Sequence, residues 1–175
     1  MLFKGDSMLG KVIKYDIKDI NTDLIIPARY LARSEPNYLA KHCMEDLDAT
    51  FIHKVKKFNF TIMATGANFG CGSSREQAPI ALKAAGIQCI IAPSFARIFF
   101  RNSINIGLPI IEFDKIENIK TNNILEVLFA EGIIRDNFTK REYKVKKMPS
   151  FLQEIISANG LLNYARSKIL RKSNI

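Results

Sequence analysis

Histidine and cysteine are scarce in this chain of 175 residues, which contains two histidines and three cysteines. The cysteines, Cys43, Cys71 and Cys89, are widely spaced, and the sequence has no Cys-x-x-Cys pair. Structural metal sites and iron–sulfur clusters need several such ligands at short spacings. We therefore expect the chain to bind no metal ion or cofactor of its own. An odd number of separated cysteines is also typical of reduced thiols in the cytosol.

Long apolar runs are also missing. No uninterrupted stretch approaches the roughly 20 residues that a membrane-spanning helix needs, and the opening Met1-Leu-Phe-Lys-Gly-Asp6 lacks the apolar region of a signal peptide. The sequence has no internal repeats and no low-complexity linker. We therefore expect a cytoplasmic protein that does not bind membranes. A chain of this length is too short for two domains of ordinary size, which predicts one domain over residues 1–175.

Negative charge is in the minority, because 26 lysines and arginines face 17 acidic residues and the formal net charge is +9. Such a balance can indicate nucleic acid, an acidic partner or simply a solvated surface. The basic residues are spread along the chain, with modest clusters at 140–147 and 166–172, and neither cluster interleaves aromatic residues as RNA-binding sheets do. We therefore predict a solvated basic surface without nucleic acid, and keep a nucleic-acid or phosphate-binding module as an alternative.

Short apolar runs alternate with helical patterns through the middle of the chain. They predict strands at 10–15, 60–64, 88–92 and 108–113, with helices at 77–85 and 95–106 between the last three. Pro93-Ser94 is expected to cap the second of these helices. Repeated strand–helix–strand units imply parallel pairing through right-handed crossovers. From residue 114 onward, short strands with turn-like connections predict an antiparallel addition, and two helices follow Ser150. The predicted fold class is α/β, a mixed sheet whose parallel βαβ core is flanked by helices and extended by short antiparallel strands.

A further amphipathic helix is predicted between the first two strands, from Ser34 to Leu47. Ser34 is the candidate N-cap and Pro36 lies in the first turn. Leu39, Cys43 and Leu47 recur at helical spacing and share one face. This pattern indicates an amphipathic helix, with Cys43 as a small hydrophobic residue of the core.

The most informative stretch is the glycine-rich turn Gly70-Cys-Gly-Ser-Ser-Arg-Glu76, which lies between a predicted strand and a predicted helix. A turn of this kind lets backbone N–H groups point into open space, and the N-terminus of the following helix adds partial positive charge. The hydroxyls of Ser73 and Ser74 and the guanidinium of Arg75 lie in the same turn. Together these groups indicate an anion site, for a carboxylate or a phosphate.

Other interpretations of this turn can be weighed from spacing. The dinucleotide pattern Gly-x-Gly-x-x-Gly fails at its third glycine, and no Gly-Lys-Ser/Thr follows, which excludes a P-loop. Both Ser73-x-x-Glu76 and Ser74-x-x-Gln77 fit a capping box, so a purely structural helix cap stays open. Pro79 is tolerated only near a helix start, which predicts that the regular helix begins near Gln77 and leaves the serines on an exposed lead-in turn.

Three separated blocks of the sequence resemble one known family. The segment Gly72-Ser-Ser-Arg-Glu76 is similar to the serine–arginine signature of the swivelling domain in the aconitase superfamily. Other blocks resemble the small subunits of isopropylmalate dehydratases and of homoaconitases, namely Asn21-Thr-Asp23 with Ile25–Leu31, and the run from Gly66 through Phe95-Ala-Arg-Ile98 to Pro109. The blocks agree in order and spacing, and the resemblance covers nearly the whole chain.

The resemblance implies a hydro-lyase subunit that removes and re-adds water on a 2-hydroxy diacid, moving the hydroxyl between adjacent carbons. In an isopropylmalate dehydratase this reaction belongs to leucine biosynthesis, and in a homoaconitase to the lysine pathway. The family's Lewis acid is a [4Fe–4S] cluster carried by a separate large subunit. This chain would then supply half of a split active site, in a heterodimer or heterotetramer, and would be inactive alone.

The family's catalytic base corresponds to Ser73. A serine hydroxyl is a poor base at neutral pH, so its alkoxide must be strongly stabilised. Arg75 is expected to stabilise that alkoxide or to clamp a substrate carboxylate by a bidentate pair, and Asp23 is expected at the edge of the active site beside the serines. Ser74 would donate to substrate or cap the helix. Cys71 is a minor candidate, because the reaction needs no thiol.

The residues that follow Tyr30-Leu31 correspond to the part of the family's pocket that faces the variable group of the substrate. An arginine directly after this pair suits an additional carboxylate, as in homoaconitases, whereas an apolar residue suits an isopropyl group. This chain has Ala32 at that place and Arg33 one step later. Both are expected to be substrate-binding residues. Ala32 favours isopropylmalate, and Arg33 keeps a homoaconitase small subunit open as the alternative.

Overall fold

A computed structural model describes residues 7–172 of the chain and the side chains of residues 7–170. Its strands are β1 (Ser7–Tyr15), β2 (Phe60–Thr65), β3 (Cys89–Ala92), β4 (Ile110–Glu112), β5 (Ile124–Leu128), β6 (Ile133–Asp136) and β7 (Glu142–Lys144). They form one sheet in the order β4-β3-β2-β1-β5-β6-β7. The first strand in the chain is therefore the central strand of the sheet.

The α-helices of the described residues are α1 (Thr22–Ile25), α2 (Pro36–Lys41), α3 (Phe51–Phe58), α4 (Gln77–Ala85), α5 (Arg97–Asn105), α6 (Ser150–Ser157) and α7 (Leu161–Lys172). Single turns of 3₁₀ helix occur at Ala28–Tyr30 and Ile116–Asn118. The crossover from β1 to β2 contains α1, α2 and α3, while α4 and α5 each form a short crossover between neighbouring strands.

The four strands β1 to β4 pair in parallel, as the strand–helix–strand pattern predicts. All four residues of β3 are buried, which explains its continuous apolar sequence, because a parallel strand is covered on both faces. The carboxyl ends of β1 and β2 lie at the same edge of the sheet. The loops that leave these two ends, at residues 16–26 and 66–76, therefore emerge side by side.

Strands β5, β6 and β7 extend the sheet by antiparallel pairing on the other side of β1, which confirms the predicted antiparallel addition. Two apolar cores result. One, which includes Met63 and Leu82, lies between the parallel strands and the helices. The other, which includes Val12, Ile91 and Val127, joins residues of the parallel strands to residues of the antiparallel strands. The mixed α/β architecture agrees with the predicted fold class.

The predicted helix over residues 34–47 is shorter in the structure and covers only α2. The N-cap position is Glu35, so the prediction of Ser34 as the cap is wrong. Met44 has a positive φ of 62°, and its N–H donates to the carbonyl oxygen of Ile25 at 2.8 Å. The chain leaves the helix because a tertiary hydrogen bond and the burial of Met44 outweigh the local helical pattern.

Two further details differ from the sequence prediction. Helix α3 was not identified, although Phe51 and Val55 are both buried and recur at helical spacing. Helix α5 begins at Arg97 rather than at residue 95, and Ser94 is not its cap. The hydroxyl of Ser94 instead accepts a hydrogen bond from the N–H of Asn68 at 2.9 Å. Ser94 therefore stabilises the glycine-rich turn after β2 and not the helix that follows it.

Candidate functional site

The segment at residues 66–76, named the serine loop here, connects β2 to α4. Gly70 and Gly72 have φ angles of +76° and +88°, a region that favours glycine. A Cβ atom at Gly70 would lie 2.2 Å from the ring of Phe99, so no other residue fits there without displacing the core. The two glycines turn the chain sharply and leave Ser73 and Ser74 exposed at its surface.

A second loop, residues 16–26, runs beside the serine loop and is named the N-terminal loop. Four backbone hydrogen bonds join the two loops. They are Gly66 N–H to Ile17 O at 3.1 Å, Asp19 N–H to Ala67 O at 2.9 Å, Gly70 N–H to Ile20 O at 2.8 Å and Thr22 N–H to Cys71 O at 2.9 Å. These contacts hold in register two segments that lie about 50 residues apart in the sequence.

The N-terminal loop ends in the short helix α1, which presents three consecutive polar residues. The side chain of Asn21 caps the helix by accepting the N–H of Leu24 at 2.9 Å. Thr22 is buried, and its hydroxyl donates to the carbonyl oxygen of Ser73 at 3.0 Å. Asp23 forms an ion pair with Arg75, with an N···O distance of 2.5 Å. The structure thus places Asp23 beside the serine loop, while its catalytic role stays a prediction.

The guanidinium of Arg75 is fixed from one side. Its Nη1 donates to Asp23 and, at 3.2 Å, to the carbonyl oxygen of Ile26. The side chain of Arg75 is only 14% exposed, whereas that of Asp23 is 52% exposed. Among the described residues, Nη1 is the only nitrogen of this guanidinium with a hydrogen-bond partner, so Nε and Nη2 remain available to a ligand.

The two serine hydroxyls have no hydrogen-bond partner within residues 7–172, and the same holds for the N–H groups of Gly72, Ser73 and Ser74. Helix α4 begins at Gln77, as the position of Pro79 predicts. The capping-box interpretation is wrong for both serines, because the N-cap position is Glu76 and no side-chain cap bond forms within the described part of the chain. Both hydroxyls and three adjacent amides are therefore available to an anionic ligand.

Cys71 lies in the same turn but is not activated. Burial and the nearby carboxylate of Asp19 raise the pKa of its thiol above the ordinary value. A raised pKa lowers the thiolate fraction at neutral pH, and the thiolate is the nucleophilic form. This agrees with the minor place that the sequence analysis gives to Cys71.

Ala32 and Arg33 belong to an exposed segment, residues 28–35, named the selectivity segment here. Arg33 forms an ion pair with Glu35 at 3.2 Å, and its guanidinium carbon lies 4.2 Å from the ring centroid of Tyr38. The hydrogen bonds from Arg33 lower the pKa of Glu35. In the part of the chain that the structure describes, no hydrogen bond or ion pair joins Ala32 or Arg33 to the serine loop. Within the described residues, the two sets of predicted site residues are therefore not joined by hydrogen bonds or ion pairs.

The geometry adds one residue that the sequence analysis did not single out, Thr22. Its position between Asn21 and Asp23, in one of the blocks that carry the family resemblance, was the available signal.

No three His, Cys, Asp or Glu side chains of residues 7–170 are grouped closely enough to hold a metal ion. Over the described helices, none is long and apolar enough to cross a membrane.

Known proteins resemble this chain over almost its full length. The family model described as the Aconitase C-terminal domain matches residues 6–116. The 3-isopropylmalate dehydratase small subunit of Ruminiclostridium cellulolyticum is 53% identical over 161 residues, covering 91% of this chain and 97% of the relative. The protein of the same name from Caldanaerobacter subterraneus is 54% identical over 163 residues, covering 93% and 99% of the two chains.

A solved structure supports the same relationship at the level of the fold. The crystal structure of 3-isopropylmalate dehydratase from Methanocaldococcus jannaschii superposes with a TM-score of 0.87 at 40% sequence identity, and covers 96% of this chain and 98% of that one. The aconitase-type architecture predicted from the sequence is thereby confirmed. The chain belongs to the family of 3-isopropylmalate dehydratase small subunits, which are subunits of hydro-lyases in the aconitase superfamily.

Proposed function

We propose that this chain is the small subunit of a 3-isopropylmalate dehydratase, which interconverts 2-isopropylmalate and 3-isopropylmalate by dehydration and rehydration in leucine biosynthesis. The observation that carries the proposal is an identity above 50%, over more than nine-tenths of both chains, with proteins of that name. The site supports it, because the segments at 21–23 and 72–76 that resemble the family meet in space, with Asp23 bonded to Arg75.

The proposed partner is a large subunit that carries a [4Fe–4S] cluster, in a cytoplasmic heterodimer or heterotetramer. When bound to that subunit, the cluster would supply the Lewis acid that assists departure of hydroxide. The chain is proposed to form a single swivelling domain over residues 1–175. Ser73 and Ser74 are exposed at one edge of it, and their hydroxyls have no protein partner within the described residues. An edge of this kind suits an active site that is completed by a second subunit.

Ser73 is proposed as the base that takes a proton from the substrate carbon. Three features of the site support this role. The N–H groups of Gly72 and Ser74 flank it without described protein acceptors, the N-terminus of α4 adds partial positive charge, and Arg75 lies two residues away. Each of these features favours the negatively charged alkoxide over the neutral hydroxyl, which lowers the cost of using serine as a base.

Arg75 is proposed to act on the anionic groups of the site, and Asp23 to orient it. The contacts of Nη1 with Asp23 and Ile26 fix the plane of the guanidinium. Its remaining donors, Nε and Nη2, form a fork that matches a carboxylate of the substrate. The alternative is that the same donors stabilise the Ser73 alkoxide. Ser74, with a free hydroxyl in the described structure, is proposed to donate to the substrate.

The selectivity segment is proposed to face the isopropyl group through Ala32. The alternative of a homoaconitase small subunit would need Arg33 to bind an additional carboxylate. In the structure Arg33 is paired with Glu35 and stacked on Tyr38 instead. This pairing, together with the names of the close relatives, favours an apolar substituent over a charged one.

We expect no nucleic acid or membrane among the partners. The basic residues do not form an aromatic-interleaved surface. A nucleic-acid or phosphate-binding module would show binding to DNA or RNA that weakens steeply with salt. Such binding, in the absence of a cluster-bearing partner, would contradict the dehydratase proposal.

The test is turnover of 2-isopropylmalate and of homocitrate, measured anaerobically on this chain co-purified with the large iron–sulfur subunit of the same organism. We expect turnover of 2-isopropylmalate only when both chains are present, with size-exclusion chromatography giving the stoichiometry. Activity on homocitrate alone would favour the homoaconitase alternative. Failure to associate with the large subunit and to turn over either substrate would overturn the proposal.

A further inference from the structure

Thr22 is the first residue of α1 and is 2% exposed. It contacts the serine loop twice. Its N–H donates to the carbonyl oxygen of Cys71 at 2.9 Å, and its hydroxyl donates to the carbonyl oxygen of Ser73 at 3.0 Å. A Cβ atom added to Gly72, the residue between these two, would lie 3.5 Å from the Thr22 hydroxyl oxygen. Thr22 thus lies directly beneath the turn that carries Ser73.

These two hydrogen bonds orient two peptide groups of the serine loop. In a trans peptide the C=O and the following N–H point in opposite directions. Because the carbonyls of Cys71 and Ser73 point towards Thr22, the N–H groups of Gly72 and Ser74 point away from it. These are two of the three amides of the turn that have no acceptor within the described residues. Thr22 therefore determines which way the open amides on either side of Ser73 face.

The other contacts between the two loops act elsewhere. The remaining three backbone bonds between the loops end at residues 66, 67 and 70, and Asp19 accepts hydrogen bonds from the side chains of Asn68 and Cys71. On the other side of Ser73, Asp23 and the carbonyl oxygen of Ile26 accept only from the side chain of Arg75. Within residues 7–172, the Thr22 hydroxyl is the only group of the N-terminal loop that hydrogen-bonds the backbone of Ser73. The carbonyl of Ser73 also accepts the N–H of Arg75 at 2.8 Å, so this carbonyl keeps one partner if the hydroxyl is removed.

We propose that Thr22 is a positioning residue for Ser73: its buried hydroxyl holds the Ser73 carbonyl so that the serine hydroxyl and the flanking amides face the substrate. The inference rests on the proposed function, in which Ser73 is the base. With this proposal, the three consecutive residues at 21–23 have three separate tasks. Asn21 caps α1, Thr22 orients the Ser73 backbone and Asp23 orients Arg75.

The test compares Thr22→Val with Thr22→Ser in the complex with the large subunit. Valine keeps the shape of threonine but cannot donate, whereas serine keeps the donor and loses only the methyl group. For Thr22→Val we expect kcat on 2-isopropylmalate to fall about 10- to 100-fold, because a small displacement of a reacting group has effects of this size. KM should change less than about threefold, since the substrate-binding donors remain. Thr22→Ser should restore kcat to within about threefold of wild type.

A merely structural role would give a different pattern, in which Thr22→Val and Thr22→Ser are impaired together in proportion to their loss of thermal stability. That pattern, or a kcat of Thr22→Val within twofold of wild type, would overturn the inference.

A second measurement does not depend on turnover. In ¹⁵N relaxation of the full chain, Thr22→Val should increase backbone motion at residues 72–74 and Thr22→Ser should not; unchanged motion in both variants would also overturn it.

The two readouts separate this inference from the proposed function. If the wild-type complex does not turn over 2-isopropylmalate, the proposed function fails, and the relaxation data still decide whether Thr22 orders the serine loop. If the wild type is active and Thr22→Val is as active, the function stands and the positioning role fails.

Discussion

The serine loop and the selectivity segment are held to the protein by different kinds of contact. Four backbone hydrogen bonds and the buried Thr22 join the serine loop to its neighbour. In the described structure, the backbone of the selectivity segment bonds only to residues 27–39. Its contacts with the rest of the protein include the packing of Tyr30 and Leu31 on the core and the ion pairs of Arg29 with Glu45 and Asp46. Exposed ion pairs contribute only about 0–1 kcal/mol each, so the selectivity segment is the more easily changed of the two.

This difference has a functional meaning for a family of related dehydratases. A base has to be placed to within a fraction of an ångström, which requires a rigid backbone. Discrimination between an isopropyl group and a carboxylate needs only a change of side chain on a tolerant surface. The contact pattern predicts that variants of the serine loop lose activity or stability, while variants of the selectivity segment shift the substrate ratio.

The largest effect is expected at the centre of the serine loop. Ser73→Ala should lower kcat about 10³-fold or more, the contribution of a general base, with the fold and the affinity for the large subunit unchanged. Turnover and circular dichroism of the complex test this. Ser74→Ala is the matched control and should retain a larger fraction of the activity. A normal rate for Ser73→Ala would remove Ser73 as the base.

A second prediction separates steric from conformational effects in the same loop. Gly70→Ala should lower the free energy of unfolding by about 3 kcal/mol, because the new Cβ meets the ring of Phe99 and the residue keeps a positive φ. Gly72→Ala has a positive φ but contacts no closer than 3.5 Å, and should cost about 1 kcal/mol. Urea unfolding measures both; equal costs would mean that the Phe99 contact is relieved by rearrangement.

A third prediction concerns the carboxylate that holds the segment following α2 to β1 and α3. Asp48 accepts hydrogen bonds from Tyr15 at 2.7 Å, from Thr50 and from Lys54 at 2.7 Å. Burial alone would raise the pKa of Asp48, but these bonds outweigh it and hold the pKa well below the usual range. Burial, together with the same carboxylate, raises the pKa of Tyr15.

A folded-state pKa below the unfolded value of 3.8 means that Asp48 stabilises the protein above about pH 4. This contribution should be lost as the pH falls below 3.8 towards the folded-state pKa. Asp48→Asn should therefore cost about 2 kcal/mol at pH 7 and flatten the loss of stability that sets in as the pH falls below about 4. Urea unfolding at several pH values tests this. Asp46→Asn, an exposed carboxylate of the same region, is the control and should change stability little.

The smallest effect is expected in the selectivity segment. Ala32→Arg should raise the ratio of homocitrate to 2-isopropylmalate turnover by about fivefold, the size expected for one exposed charge pair. Ala32→Gln, similar in length but uncharged, is the control. Ratios of kcat/KM on the two substrates, measured in the complex, provide the test. An unchanged ratio for Ala32→Arg would mean that this segment does not select the substrate.

Much of the fold could be predicted because its signals are local. The buried parallel strands appear as continuous apolar runs, and Gly86 ends α4 in a left-handed conformation as a helix-ending glycine should. The predicted helix at residues 34–47 is too long for a non-local reason, the hydrogen bond from Met44 to Ile25. The prediction of Ser94 as a cap is wrong for a similar reason, since its hydroxyl accepts a hydrogen bond from Asn68 instead.

The candidate site likewise has features that could be predicted from the sequence and contacts that only the fold decides. The residue types at 72–75 indicate an anion site because glycine, hydroxyl and guanidinium chemistry can be read from the sequence itself, and the family blocks indicate a dehydratase. The partners of those residues could not be derived from spacing. Asp23 and Arg75 are 52 residues apart and meet only because parallel pairing of β1 and β2 sends their loops from one edge of the sheet.

The sequence by itself determined the family and the alternation of strands and helices in the parallel core, and it indicated which side chains are proposed to react. The tertiary structure decided which groups stay free. The capping-box pattern assigns the serine hydroxyls to the helix, but the turn at Gly70 and Gly72 and the start of α4 at Gln77 leave them unpaired within the described residues. Thr22, unremarkable in sequence, becomes the orienting contact because the direction of a carbonyl depends on the three-dimensional path of two loops.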